Sequence, residues 1–250
     1  MGTLVRDWLG IRYEFNWAIV LEQPYLEWFV TGLKYTLLLT IVTTVTSLAL
    51  GIAVGVMRSC ENAWLRRAAG VYIETFRNIP GMFWLFFFYF AFPVFLPEPW
   101  ARAVNGYRHF ALLAAVLGLT FDNSSYVAEI VRSGIQSLPA GQNEAARSIG
   151  MTDWQRWRSV ILPQAIRIVV PPLGTRCIHN LKNTSLAMVI GVPELSWTTR
   201  QVESITFRGF EMTTFVTAVY VTLCLVMAGG LNRVEARLAR HHRLKPAPGG

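Results

Sequence analysis

Two long stretches of this chain carry no charged residue, and both are dominated by apolar and aromatic side chains. They cover residues 79–97 and 212–231. Each is about 20 residues long, which lets a helix cross the hydrocarbon core of a bilayer. Only helices and closed barrels can span lipid, because it offers the backbone no hydrogen-bond partner, and a barrel would require alternating strands. The sequence therefore predicts an all-α integral membrane protein.

Charge and motifs limit what else the chain could do. Charged residues make up 15% of its 250 residues, against about 25% in a soluble domain. The net charge of +8 is better explained by basic residues that flank membrane spans than by a nucleic-acid partner, so we predict contact with membrane lipids and not with nucleic acid. The three cysteines are too widely spaced for a metal site, and no glycine-rich phosphate loop is present. We expect this chain to bind no cofactor or metal.

The hydropathy pattern predicts five transmembrane helices within a membrane domain at residues 30–232. An aromatic, interfacial segment (1–29) precedes this domain and a basic tail (233–250) follows it. We expect Pro80 to kink or break the second span, since proline removes a helix hydrogen bond. The G-x-x-x-G spacing of Gly51 and Gly55 either allows close helix approach or arises by chance. The predicted spans are 33–57, 71–96, 110–131, 161–190 and 212–231, the fourth being interrupted by Pro163, Pro171, Pro172 and Gly174.

The distribution of basic residues predicts the orientation. With five spans the two termini lie on opposite sides. Thirteen Lys and Arg residues fall on the side of the C-terminal tail and six on the other. Since Lys and Arg are enriched in cytoplasmic loops, the C-terminus should be cytoplasmic and the N-terminus periplasmic.

A polar segment at residues 141–163, here called the polar loop, falls on the same cytoplasmic side. Its Glu144-Ala145-Ala146-Arg147 run favours helix, and Gly150 is expected to end that helix. The polar loop should thus form two short helices joined at a glycine.

The second of these helices should begin at Thr152 or Asp153, which are both good N-caps. Trp154 and Trp157 are three residues apart and are expected on one face. The polar loop is then either a solvated connector or a docking surface for another protein, and the two tryptophans favour docking.

The segment E-A-A-R-S-I-G, followed nine residues later by V-I-L-P, resembles the E-A-A-x-x-x-G-x9-I-x-L-P loop of ABC-importer permeases, with Val160 in place of isoleucine. The flanking Y-I-E-T-F-R-N-I-P, S-Y-V-A-E-I-V-R-S-G-I-Q-S-L-P-A-G-Q and L-K-N-T-S-L-A-M-V-I-G resemble the polar amino-acid (His/Glu/Gln/Asp type) permeases. F-R-N-I-P and F-N-W look most like the glutamate/aspartate subgroup. The resemblance covers about residues 30–235.

The resemblance implies a type I ABC-importer permease fold in the bacterial inner membrane. It also implies the partners: a second, identical or homologous permease, two cytoplasmic ATPase subunits that bind ATP and Mg, and a periplasmic or lipid-anchored amino-acid-binding protein. Glu144, Ala145, Ala146 and Gly150 would couple the permease to the ATPase. Arg147 would lie beside them, against either acidic groups of the ATPase or anionic lipid headgroups.

Polar residues at membrane depth are the candidates for substrate contact, because broken helices and their free backbone groups often bind polar substrates. Each could instead form an interhelical hydrogen bond, and a buried cation such as Arg77 or Lys182 could pair with Glu74 or Glu129. The candidates are Lys182, Asn183, Thr184, Ser185, Asn123, Ser124, Arg77 and Asn78.

The cations Arg176 and Lys182 in the fourth span favour an acidic or amide substrate: glutamate, aspartate or glutamine. Two other functions remain open from the residues alone. One is a subunit of a secondary amino-acid transporter driven by an ion gradient, and the other is a non-transporting scaffold or receptor subunit. The first would require paired broken helices in an internal repeat, and only one clearly broken segment is predicted.

Overall fold

The computed structural model describes residues 15–243, with side chains through residue 237, so residues 1–14 of the segment 1–29 and the end of the tail lie outside the described residues. This part of the chain is helical and contains no strand, which confirms the all-α prediction. The α-helices are α1 (Tyr25–Ser59), α2 (Ala63–Asn78), α3 (Gly81–Phe86), α4 (Glu98–Asn105), α5 (Phe110–Gln136), α6 (Ala140–Ser148), α7 (Asp153–Arg156), α8 (Leu162–Asn183), α9 (Leu195–Thr206) and α10 (Gly209–Arg243). Shorter 3-10 turns occupy Trp17–Leu21, Phe92–Phe95 and Thr184–Ile190, and π turns occupy Phe87–Ala91 and Trp157–Ile161.

Within the described residues, 3 helices are long and apolar enough to cross a membrane: α1, α5 and α10. A fourth span results if α2 and the segment after it count as one, although the two are bent by 103°. The bend lies at Ile79 and Pro80, where Ile79 is extended, and it confirms the predicted break. The predicted span at 161–190 is not among these helices, so a total of five spans stays a prediction.

The predicted interruption of that fourth segment is wrong in position. Helix α8 runs without a break through Pro171 and Pro172. Pro163 lies directly after the π turn Trp157–Ile161, so its missing N–H falls where the helical hydrogen bonds change spacing. Helices α5 and α10 pack along α8. The break comes later, at the start of the 3-10 segment Thr184–Ile190. This segment is followed by Gly191, which has a φ of 82°.

Two connections between the predicted spans contain helices. Helix α4 lies between the second and third predicted spans, and α9 lies before the last. Helix α9 packs against both α1 and α10. The residues that bury its side chains therefore lie in other helices. Helix α1 also begins earlier than predicted, at Tyr25.

The centre of the fold is the contact between α1 and α5, the most extensive between any two helices here. A Cβ built on Gly51 would lie 2.5 Å from Val127 Cβ and 2.6 Å from the Ser124 carbonyl oxygen. At Gly55 it would lie 2.7 Å from the Ala128 carbonyl oxygen. The G-x-x-x-G spacing therefore does allow close approach, as small residues do at membrane helix interfaces.

A polar seam lies beside the glycines on the same face of α1. Asn123 of α5 donates to Ser47 Oγ at 2.6 Å, and Asn180 of α8 donates to Thr43 Oγ1 at 2.7 Å and to Thr44 Oγ1 at 2.9 Å. Ser47 and Thr43 are fully buried. Because lipid cannot satisfy these groups, each hydrogen bond fixes the rotation of one helix against another.

We predict that Gly51→Ala destabilises the folded chain. The added methyl would overlap a backbone oxygen that cannot move by itself, and overpacking of this kind costs about 1–3 kcal/mol. Thermal unfolding in detergent, followed by circular dichroism, should show a lower midpoint. The matched control is Gly229→Ala in α10, where nothing lies within 4 Å of the added Cβ. Equal midpoints for the two variants would contradict the packing role of Gly51.

Candidate functional site

A buried charged cluster joins α5 to α8 around Arg176. Its Nη2 lies 3.2 Å from Asp122 Oδ2, and its Nε donates to Asn123 Oδ1 at 2.6 Å. The guanidinium also covers the ring of Tyr126 at 3.8 Å from the centroid. Asp122 and Asn123 are nearly inaccessible to solvent. The positive charge of Arg176 is thus neutralised, hydrogen-bonded and stacked inside the protein.

Arg77 at the end of α2 extends this cluster. It lies 3.6 Å from Glu129 and 5.5 Å from the Tyr126 ring centroid, and Glu129 is also paired with Arg132 at 2.6 Å. Glu129 is one of the two acids that the sequence offered as a structural partner for a buried cation. Asn78, the next residue after Arg77, is exposed.

The polar α5 candidates are also engaged inside the bundle. Asn123 bridges Ser47 and Arg176, while Ser124 Oγ is 2.6 Å from the hydroxyl of Tyr72. Ser124 has no exposed surface. These contacts agree with the interhelical alternative, and substrate contact by Asn123 or Ser124 stays a prediction.

The sequence indicated only the charge of Arg176, and not that Asp122 and Tyr126 are its partners. A signal was present, because Asp122, Asn123 and Tyr126 are spaced to share one face of a helix. Nothing in the sequence showed that Arg176, more than 50 positions later, packs against that face.

A second site lies at the end of α8, where a cavity of about 450 Å³ opens beside α9 and α10. Its size is typical of a small-molecule pocket. Lys182 and Ser185 line it, whereas Thr184 is fully buried and donates to the Leu181 carbonyl oxygen at 2.7 Å. Asn183 is partly exposed and does not line it. The remaining lining residues are Ser196, Val216, Thr217, Tyr220, Val221, Cys224 and Leu225.

Glu194 holds the wall of this cavity in place. Its carboxylate caps α9, accepting from the backbone N–H groups of Ser196 at 2.9 Å and Trp197 at 2.8 Å. It also accepts from the hydroxyl of Tyr220 at 2.8 Å, which ties α9 to α10. Burial raises the pKa of the Glu194 carboxyl, while the hydrogen bonds that it accepts oppose the shift.

The polar loop has the predicted glycine joint between two helices, but the second helix is not short, since α7 continues through the π turn into α8. Helix α6 ends at Ser148, and Gly150 adopts a φ of 78°, a conformation that favours glycine. Thr152 then caps α7: its hydroxyl accepts from the Gln155 N–H at 3.3 Å, and the Gln155 side chain accepts from the Thr152 N–H at 2.9 Å. This reciprocal pair is a capping box. The turn between α6 and α7 is thereby fixed at both ends.

The outer surface of the polar loop combines small, acidic and apolar groups. Glu144 and Ala145 are exposed, whereas Ala146 is buried. Ile149 and Trp154 are 74% and 71% exposed. Exposed large apolar side chains near small residues are typical of a surface that another protein covers.

An exposed ion pair links the loop to the turn between α1 and α2. Arg147 donates to Glu61, in the turn between α1 and α2, at 2.7 Å. Trp157 is half-buried, so it does not share the exposed face of Trp154 as the sequence suggested. Trp157 follows Trp154 with ordinary α-helical geometry, since its N–H donates to the Asp153 carbonyl oxygen. The difference in exposure therefore comes from the residues that cover Trp157.

The chain is similar in sequence to several permease proteins of amino-acid transporters. The chain is 34% identical over 231 residues to a probable amino-acid ABC transporter permease protein, YckA, of Bacillus subtilis, covering 92% of this chain and 96% of the relative. It is 32% identical to the glutamine transport system permease protein GlnP of Escherichia coli, covering 90% and 98%. The glutamate/aspartate import permease protein GltJ of Escherichia coli is also 32% identical, covering 84% and 89%.

The fold is likewise shared with solved transporters. A crystal structure of an amino acid ABC transporter with histidines superposes with a TM-score of 0.78 at 32% identity, covering 90% of this chain and 100% of that one. The methionine transporter MetNI in an inward-facing conformation has the same fold, with a TM-score of 0.72 at 24% identity, covering 87% and 99%. The model of the family "Binding-protein-dependent transport system inner membrane component" matches residues 27–240. The chain therefore belongs to this family of ABC-transporter permease subunits, which confirms the resemblance found in its sequence.

Proposed function

We propose that this chain is one of the permease subunits of an ATP-driven importer of a polar amino acid, namely glutamine, glutamate or aspartate. The support is that its relatives include glutamine and glutamate/aspartate permeases. The family match leaves the secondary transporter and the scaffold without support. The partners would be a second permease, two ATPase subunits that bind ATP and Mg, and an amino-acid-binding protein outside the bacterial cytoplasmic membrane.

In this proposal α8 provides the fifth crossing of a membrane domain at residues 30–232. Its 22 residues give a length of about 33 Å, enough for the hydrocarbon core. Its polar side chains do not exclude it, because Arg176 and Asn180 have partners inside the bundle. With five spans, the bias of basic residues supports a periplasmic N-terminus and a cytoplasmic polar loop and basic tail (233–250).

The observation that carries the coupling role is the stiff, two-helix geometry of the polar loop. The capping box and the Arg147–Glu61 pair would transmit a push on α6 to the ends of α1 and α2. Glu144, Ala145 and Ile149 would contact the ATPase, with Gly150 fixing the angle between α6 and α7. Arg147, which faces Glu61, would serve the inner side of the joint.

The substrate would pass the cavity at the end of α8. Lys182 is exposed there, and no ion pair with an acid is found for it among the described side chains. A free ammonium group suits a carboxylate, which glutamate, aspartate and glutamine all carry. Ser185 would add a hydroxyl donor, whereas Arg77 and Asn123 are already occupied by other residues.

We predict that Glu144→Lys lowers ATP-dependent uptake at least about tenfold, because reversing a charge at a docked interface costs several kcal/mol. Uptake of labelled glutamine and glutamate into proteoliposomes containing the whole transporter measures this. The control is Glu27→Lys, also an exposed glutamate, which lies in the first turn of α1 and not in the polar loop. Normal uptake by Glu144→Lys in a correctly assembled complex would refute the coupling role.

We predict that Lys182→Gln raises the amino-acid concentration needed for half-maximal uptake by about tenfold or more. This is the effect expected when one charge-assisted hydrogen bond is lost. The measurement is the substrate concentration that half-saturates uptake in vesicles. These vesicles carry a form of the transporter that works without its binding protein. Lys34→Gln is the matched control, since Lys34 is also exposed but does not line the cavity. An unchanged concentration dependence for Lys182→Gln would exclude Lys182 from the pathway.

A further inference from the structure

Glu74 of α2 is an exposed carboxylate that the fold leaves unpaired. The sequence offered it as a partner for Arg77 or Lys182, but Arg77 faces Glu129 instead. No hydrogen bond or ion pair of Glu74 is found among the described side chains. Thr75 is exposed beside it, so this part of α2 presents a polar face that no helix of the chain covers.

The position of Glu74 along the bundle makes this face unsuitable for lipid. The hydroxyl of Tyr72 lies 2.6 Å from Ser124 Oγ, and Ser124 is in the middle of α5, a helix long and apolar enough to cross a membrane. Glu74 is two residues beyond Tyr72, which is about 3 Å along a helix. Because a carboxylate is costly against lipid at that depth, this side of α2 must face water or another protein.

His179 of α8 is a basic side chain in the same situation. It is exposed, and no hydrogen bond or ion pair is found for it among the described side chains. Arg176, three residues earlier, donates to Asn123 in the middle of α5, so His179 lies within about 5 Å of that level. Thr175 and Lys182 are exposed one turn before and one turn after it, which extends the polar face along α8.

The acid and the base are not paired within one chain, although they lie at the same depth. Glu74 and His179 belong to two helices that both pack on α5. In a two-fold symmetric contact, residue i of one chain meets residue j of the other, and j meets i. Two copies with the same orientation in a membrane are related by an axis along the membrane normal, which keeps each residue at its own depth. Glu74 and His179 meet this condition, so a second copy can satisfy both groups in two equivalent contacts.

We propose that this chain pairs with a second copy of itself through the exposed faces of α2 and α8. In each of the two symmetric contacts, the carboxylate of Glu74 accepts a hydrogen bond from the imidazole of His179 of the second copy. The need for a second permease rests on the proposed function. That this permease is identical is argued from the complementary groups that one chain carries unpaired.

The test is chemical cross-linking in membranes of cells that produce every subunit of the transporter. Cys60, Cys177 and Cys224 are first replaced by serine, and Glu74→Cys and His179→Cys are then introduced together. A short bis-maleimide is used, because side chains as long as glutamate and histidine touch at Cα separations beyond the roughly 7 Å that a disulfide tolerates. On a denaturing gel we expect the chain to shift from the mass of one copy to that of two.

The matched control is the pair Glu27→Cys and His109→Cys in the same background. These residues are of the same two types and are also exposed, but they lie outside α2 and α8. The control pair should stay at the mass of one chain after the same treatment.

Charge exchange provides a second measurement that does not depend on cysteine variants. Glu74→Lys places two basic groups together and His179→Glu places two acids together, so each alone should lower the temperature at which the assembled transporter dissociates in detergent. The two substitutions in one chain exchange the charges and should restore that temperature toward the value of the unmodified complex. Two purely local defects would instead add.

Several outcomes would overturn the pairing. They are the absence of a cross-linked species, a link within one chain, a link to a different permease chain, equal cross-linking of the control pair, and additive losses in the charge exchange. Both measurements are made without uptake. Intact ATP-dependent uptake without the link between Glu74 and His179 removes only this inference, whereas the link in a complex that imports no amino acid removes only the proposed transport function.

Discussion

The close contact between α1 and α5 is the interaction on which the other contacts depend. Gly51 and Gly55 let the two backbones approach until a single methyl group would overlap a carbonyl oxygen. At that distance the short side chains of Ser47 and Asn123 can reach each other. In a membrane the apolar surfaces alone give helices little reason to associate, so close packing and buried hydrogen bonds must do so.

The buried charges follow from the same constraint. Asp122, Asn123 and Tyr126 lie on the side of α5 that α8 covers, and there they hold Arg176. A carboxylate or a guanidinium at this depth is tolerated only with a partner. By contrast, the exposed Lys182 lines a cavity. This difference between satisfied and unsatisfied cations separates the packing residues from the candidates for ligand binding.

Much of the local structure could be predicted because its causes are local. Gly150 ends α6 and Thr152 caps α7 through neighbours within a few residues, and Pro80 breaks the second span through its own missing N–H. The prolines of α8 misled the prediction, because tertiary packing on both sides carries the helix past Pro171 and Pro172. Helix α9 was missed for a related reason: its buried face is made by α1 and α10.

The sequence by itself determined that this is a helical membrane protein, which residues form its polar loop and which family it resembles, since uncharged stretches and contiguous motifs are properties of neighbouring residues. Only the tertiary structure decided which polar residues are occupied. Asn123 and Lys182 looked equally suited to bind substrate, yet one is enclosed between Ser47 and Arg176 and the other lines a cavity. The physical reason is that the partners of a buried polar group come from distant segments, and only the packing of helices brings them within hydrogen-bonding distance.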